Sequence, residues 1–273
     1  MRPERFDFEG VEAGYIRAGQ GQPLLLLHGS GPGASSIGNW KMVLEPLSRQ
    51  YEVFAMDLIG FGTSGRKPAP PYFDYGLWVR QAEAMLARIP GDKVGVIGHS
   101  LSASLALTVA SRQKRVAAVL TTGAMGADFE LTDETRRTWS CPRDRDALKL
   151  ALKGLIHDTS FIDDAYLEAR ENVIFAEGYA DYFDEMFGGD QNKYIQAAKL
   201  SDATLANVKQ PVLMLHGRED RGFPASVSET LANHLPQADL VMLSACSHSV
   251  AVERTSTFLA LASDFFGRHL TKE

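Results

Sequence analysis

The stretch VGVIGHSLSASLALTVA, Val94 to Ala110, restricts the possible folds more than any other part of the chain. A short apolar run reaches Gly98, turns through His99, Ser100, Leu101 and Ser102, and continues into apolar positions at helical spacing. Consecutive apolar positions mark a strand covered on both faces, and a strand that feeds straight into a helix begins a crossover to a parallel neighbour. The same alternation runs from Gly10 to Thr122. Strand candidates are VEAGYIR (11–17), PLLLL (23–27), YEVFAM (51–56), KVGVI (93–97) and VAAVLT (116–121), with helix candidates at 39–49, 75–89 and 101–112. Strands alternating with helices predict an α/β fold with a mostly parallel sheet.

The rhythm breaks near Gly126. It resumes with PVLMLHG (211–217), a helix near 225–235, DLVMLS (239–244) and a terminal helix over 253–269. The intervening stretch is rich in Asp, Glu, Arg, Tyr and Phe, has helical periodicity and contains no convincing buried strand. It reads as a helical cap inserted over the strand ends, which divides the chain into a first core part (1–125), the cap (126–206) and a second core part (207–273). A chain of 273 residues with 45% hydrophobic content can bury one large core carrying such an insertion. A net charge of −6 without a basic run offers no cationic footprint for nucleic acid or an anionic membrane. No run approaches the roughly 20 apolar residues of a membrane span, and MRPERFDFEG lacks the apolar region of a secretory signal. The expectation is a cytoplasmic protein with no nucleic-acid or membrane partner, whose two cysteines, Cys141 and Cys246, are thiols.

In a parallel α/β sheet, ligands bind beyond the carboxyl ends of the strands. Four such ends carry unusual residues: HGSGPG (28–33), GHSLS (98–102), HGRED (216–220) and ACSHS (245–249). A serine hydroxyl is a poor nucleophile near neutral pH and needs a base within hydrogen-bond reach, with a third group fixing the tautomer of that base. Ser100, His248 and Asp220 are the candidates for these roles. The backbone N–H groups of Leu101 and of Ser30 or Gly31 would form an oxyanion hole for a carbonyl substrate. Each residue taken alone has an ordinary reading. Ser100 could cap a helix, Asp220 could shape the turn before Pro224, and His248 could be a loop histidine. Their conjunction at strand ends, beside a glycine-rich loop, is what points to acyl-transfer chemistry. His157, His234 and His269 fall in predicted helices, and His28 and His216 read as structural hydrogen-bonding residues. GSGPG lacks the lysine and hydroxyl of a phosphate-binding loop, and no second metal ligand lies near the elbow, so no cofactor and no metal are expected.

These residues resemble the α/β-hydrolase superfamily across nearly the whole chain. Within it they look most like the meta-cleavage product hydrolases, which cleave a carbon–carbon bond in vinylogous 1,5-diketone acids made by bacterial ring cleavage of aromatics. HGSGPGASSIGNW (28–40) is similar to that family's HGSGPG loop followed by an Asn, and DLIGFGTSG (57–65), HGREDRGFP (216–224) and Cys-x-His (246–248) also fit. The order Ser100, Asp220, His248 is that of the superfamily. LEARENVIFAEGYADYFDEMF (167–187) resembles the cap segment that carries a carboxylate-anchoring arginine. The resemblance therefore implies an α/β-hydrolase fold, with a mostly parallel eight-stranded sheet flanked by helices and an inserted helical cap. It implies hydrolysis of a 2-hydroxy-6-oxo-hexa-2,4-dienoate, and contacts to this small carbonyl substrate from Gly29, Asn39, His99, Arg170 and Ser249.

Three positions depart from the pattern. Ser102 replaces the last glycine of G-x-S-x-G, His99 stands where the family has Asn, and Ser249 where it has Trp. The last two changes keep open a carboxylesterase or lactonase acting on a small carbonyl substrate, and the G-x-S-x-S elbow, which also occurs in hydrolase-like plant hormone receptors, keeps open a slow-turnover hydrolase-like ligand receptor. Assembly as a homodimer or larger homo-oligomer is also left open.

Overall fold

The computed structural model describes residues 1–160 and 162–270. Eight strands form one sheet: β1 (Arg2–Phe8), β2 (Val11–Ala18), β3 (Gln22–Leu27), β4 (Tyr51–Met56), β5 (Val94–His99), β6 (Val116–Thr122), β7 (Val212–Gly217) and β8 (Ala238–Leu243). Their order is β1-β2-β4-β3-β5-β6-β7-β8. The β1–β2 and β2–β4 pairings are antiparallel, and every pairing from β4 to β8 is parallel.

The apolar runs are explained by two cores, one on each face of the sheet. In β3, Leu25 and Leu27 point into one core while Leu24 and Leu26 point into the other. In β7, Val212 and Met214 oppose Leu213 and Leu215 in the same way. A period-2 backbone with two apolar environments requires an unbroken apolar sequence. Each of these fully buried leucines contributes about 2 kcal/mol by leaving water. Helices α2 (Tyr75–Arg88), α3 (Leu101–Arg112) and α10 (Ala225–His234) cover the first face. Helices α1 (Ser36–Ser48), α11 (Val250–Glu253) and α12 (Thr255–Leu270) cover the second.

Among the described residues between β6 and β7 lie six helices: α4 (Asp133–Thr138), α5 (Arg145–Leu155), α6 (Asp164–Ile174), α7 (Tyr179–Phe187), α8 (Asn192–Ala198) and α9 (Asp202–Asn207). Aromatic side chains join them to the rest of the protein. Trp139 stacks on Phe187 with ring centres 6.2 Å apart and meets the edge of Phe223 at 5.8 Å. Phe187 lies 6.5 Å from Phe61, and Tyr194 lies 4.5 Å from Phe73.

Three local expectations are corrected. The first strand, β1, went unread because its sequence RPERFDF is mostly charged and exposed. It is an edge strand that buries only Phe6 and Phe8 on one side, and it carries Pro3, which an edge tolerates. His157 lies in the loop after α5 and not in a helix. The predicted helix at 39–49 begins earlier, at Ser36, because the Ser35 side chain caps it by accepting from the Gly38 amide at 3.0 Å. Cys141 and Cys246 are free and buried.

Trp139 is fully enclosed by these rings. Trp139→Ala is expected to reduce unfolding free energy by about 3–5 kcal/mol, the usual cost of emptying an aromatic site. Urea denaturation measures this, and a loss below about 1 kcal/mol would show that the six helices are seated by other contacts.

Candidate active site

The elbow residue Ser100 joins β5 to α3 with φ 58° and ψ −124°, a region that residues other than glycine rarely occupy and that costs about 1–3 kcal/mol. Backbone hydrogen bonds on both sides hold it there. Its amide donates to the Thr122 carbonyl at 2.9 Å, and its carbonyl accepts from Ala103 at 3.0 Å and Met125 at 3.1 Å. So tight a turn brings the helix onto the strand. A Cβ on Gly98 would stand 2.3 Å from the Ser102 carbonyl oxygen and 2.9 Å from Ala103 Cα, so glycine is required there. Ser102 is fully buried and its hydroxyl donates to the His28 carbonyl at 2.5 Å. The serine at the usual glycine position is therefore accommodated, and it ties the elbow to the HGSGPG loop.

The turn after β7 presents Asp220. Its Oδ1 accepts from the Phe223 amide at 2.9 Å, and its Oδ2 accepts from His248 Nδ1 at 2.6 Å. His216 Nε2 lies 3.5 Å from the same Oδ2. Burial alone would raise the Asp220 carboxyl. The attraction of His248 and the hydrogen bonds from His216 and His248 nevertheless hold it well below the usual carboxylate range. The His248 ring stacks on Phe223 with centres 4.3 Å apart, and the His99 ring lies 4.6 Å away on another side. His28 and His216 are structural, as expected. His28 Nδ1 donates to the Gly29 carbonyl at 2.6 Å while its Nε2 accepts from Leu58 N at 3.0 Å, and His216 Nδ1 pairs with the Ser228 hydroxyl at 2.7 Å.

Ser100 and His248 line one cleft, which encloses about 700 Å³ of empty space with its open mouth included. Gly29, Ser30, Gly31, Asn39, His99, Arg170 and Ser249 line it as well. Asn39, His99, Arg170 and Ser249 also border an adjoining smaller recess. The sequence-predicted residues thus converge, and Leu101, which opens α3, sits immediately beside Ser100. Neither Leu101 nor Ser30 or Gly31 donates its backbone N–H to a described residue. Free amides, one at the start of α3 and the others in the glycine-rich loop, suit a developing oxyanion. One contact is not made: the Ser100 hydroxyl has no hydrogen bond to His248. Such contacts commonly tighten only when a substrate is bound.

The sequence did not disclose what holds His248 in place. The amides of His248 and Ser249 donate to the Leu155 carbonyl at the end of α5, at 3.1 and 3.2 Å. Glu253 accepts from Ser247 N at 3.0 Å and from His157 N at 2.6 Å. The histidine loop is therefore bonded directly to the cap segment. The apolar wall of the cleft, Leu148, Ala151, Leu152 and Leu155, also comes from α5. Helical periodicity was legible in this segment, but the surface that α5 faces was not.

A family model described as alpha/beta hydrolase fold matches residues 22–255. The chain belongs to the α/β-hydrolase family. The hydrolase is 31% identical to the 2-hydroxy-6-oxo-2,4-heptadienoate hydrolase of Pseudomonas putida over 94% of this chain and 93% of that protein. It is 28% identical to the 2-hydroxymuconate semialdehyde hydrolase of Pseudomonas sp. strain CF600, over 94% of this chain and 90% of that one. Among solved structures it is similar to a meta-cleavage product hydrolase (CumD) of Pseudomonas fluorescens IP01, a serine-to-alanine mutant complexed with acetates. That pair has a TM-score of 0.90 and 30% identity, with 95% of each chain covered. These relatives are meta-cleavage product hydrolases, and the chain is a hydrolase of the same family. Among the described residues of the hydrolase, no helix is long and apolar enough to cross a membrane.

Asp220→Asn is expected to lower turnover by about 10³–10⁴-fold, because the amide can hold the imidazole in the wrong tautomer. Stopped-flow ester hydrolysis measures the loss, and a decrease of less than tenfold would remove Asp220 from this role. The depressed carboxylate also fixes a sign for stability. Its contribution is fully present above the unfolded carboxylate value of about 4 and is lost as pH falls through the lower folded value. The stability gap between the unsubstituted hydrolase and Asp220→Asn should therefore narrow on acidification below about pH 4.

Proposed function

We propose that the hydrolase cleaves the carbon–carbon bond of a 2-hydroxy-6-oxo-hexa-2,4-dienoate, using Ser100 as nucleophile, His248 as base and Asp220 as the group that orients it. The observation that carries this reading is one cleft lined by Ser100 and His248 together with a cationic side chain, Arg170, and the amide of Asn39. A guanidinium suits a carboxylate because its N–H groups are fixed and paired. Arg170 contacts the Pro32 carbonyl at 3.5 Å, which puts it beside the HGSGPG loop. The helical segment 126–206 serves as the lid, and α5 supplies the apolar wall against which the group beyond the 6-carbonyl would rest.

A carbon–carbon bond breaks heterolytically only if the departing electron pair is delocalised. In the keto tautomer of the dienol acid, Ser100 Oγ adds to C6 while His248 takes its proton, and the oxyanion forms at the amides of Leu101 and Ser30 or Gly31. Collapse of the adduct breaks C5–C6. The electron pair passes through the conjugated chain to the 2-oxygen, giving a dienolate whose carboxylate Arg170 and Asn39 hold, and the proton taken by His248 returns to that 2-oxygen. Water activated by His248 then hydrolyses the acyl-serine, releasing a carboxylic acid and the five-carbon dienol acid.

Such dienolates are coloured, so mixing the protein with monocyclic or bicyclic examples should bleach them. Absence of bleaching across a small panel would overturn the reading. Fast turnover of p-nitrophenyl esters in that event would indicate an ordinary esterase or lactonase instead. Ser100→Ala should lower bleaching by at least about 10³-fold while leaving the unfolding transition intact. Arg170→Ala should raise KM for carboxylate-bearing substrates by about 10–100-fold, with little change for neutral esters. Equal effects on both classes, in steady-state assays, would make Arg170 a packing residue.

A further inference from the structure

His99 is only 7% exposed and borders both the main cleft and the adjoining recess. Its two ring nitrogens are in unlike settings. Nδ1 lies 3.2 Å from the Thr122 carbonyl oxygen and 3.0 Å from the Thr122 hydroxyl. A carbonyl oxygen can only accept, while the Thr122 hydroxyl can accept or donate, so this pair favours the neutral ring with its proton on Nδ1. Nε2 is then an acceptor, and no described residue hydrogen-bonds to it. The Nε2 edge lies along Gly29, where a Cβ would approach Cδ2 to 3.0 Å and Nε2 to 3.5 Å. Gly29 itself lines the cleft, so its lack of a side chain leaves that edge of the ring uncovered. The ring is also held in orientation, between Trp40 at 6.3 Å and His248 at 4.6 Å. Burial, reinforced by the neighbouring His248, keeps the imidazole well below its ordinary protonation range and hence neutral.

We propose that His99 is a specificity-determining residue that presents Nε2 as the hydrogen-bond acceptor for the 2-hydroxyl of the substrate. The proposal rests on the dienoate reading above and adds to it the selection of a donor beside the anchored carboxylate. Arg170 and the side-chain amide of Asn39 offer donors to the carboxylate, while a neutral Nδ1-protonated histidine offers a lone pair next to them. A buried acceptor left without a donor is unfavourable, so a substrate lacking the hydroxyl is penalised. The adjoining recess, bordered by Ser249, gives the hydroxylated end room beside the ring.

The test uses the full chain in the Ser100→Ala background, which binds without turnover. Calorimetric titration compares 2-hydroxy-6-oxohepta-2,4-dienoate with the same acid lacking its 2-hydroxyl. With His99 present, the hydroxylated acid should bind about tenfold tighter. His99→Phe, which fills the space without an acceptor, should reduce that preference to within about twofold, and His99→Asn, whose amide oxygen can accept, should restore much of it. His99→Ala gives the same comparison if the phenylalanine variant does not fold. A packing role would weaken both acids alike and leave their ratio unchanged, and an unchanged ratio overturns the proposal. If that ratio stays unchanged while the unsubstituted protein bleaches dienoates, only the role of His99 falls. If neither acid binds and no dienoate is bleached, the dienoate reading falls, and this proposal with it.

Discussion

The backbone of Ser100, held at φ 58° in a turn with no room for a side chain at Gly98, is the constraint around which the rest is arranged. The conformation is unfavourable in isolation and persists because β5 lies beside β6 in parallel, so that the Thr122 carbonyl meets the Ser100 amide and the Met125 amide meets its carbonyl. Strand order, the crossover through α3 and the two apolar cores therefore converge on one residue. The Ser102 hydroxyl extends the arrangement to the His28 carbonyl, so the loop proposed to supply oxyanion donors and the turn carrying the serine are tied by a buried hydrogen bond.

Electrostatics organises the opposite side of the cleft. Asp220 is a buried anion that remains ionised because it accepts from the Phe223 amide and from His248, with His216 beside the oxygen that His248 engages. The resulting orientation of His248 does not depend on Asp220 alone. The Leu155 carbonyl and the Glu253 carboxylate bind the backbone of the same loop, and both connect it to α5 or the turn that follows. A displacement of the helical segment would thus be felt at the histidine. The element that forms the apolar side of the cleft is bonded to the loop that carries His248.

Much of this was readable in the linear chain because the features involved are local or periodic. PLLLL reads as a strand buried on both faces, and GHSLS between an apolar run and an apolar helical stretch reads as a sharp strand-to-helix turn. Asp220 and His248 were legible because each follows a strand at the sheet end where ligands bind. Strand β1 was not legible, since an exposed edge strand has no need for an apolar pattern and RPERFDF lacks one. The helix-bound reading of His157 failed because α5 ends two residues earlier, where its terminal carbonyl is taken by the histidine loop.

By itself the sequence determined the alternation of strands and helices, the position of the elbow and the residue types of the candidate triad, because hydrophobic period and turn chemistry act between neighbours along the chain. Only the tertiary structure decided which groups meet: Ser102 with His28, Leu155 with His248, Arg170 with the Pro32 carbonyl, and Thr122 with Nδ1 of His99. These contacts join residues far apart in the chain whose spacing carries no period, so they follow from strand order and packing alone. The same applies to the surroundings of His99, whose Nδ1 is placed against a carbonyl and a hydroxyl of Thr122 on the adjacent strand.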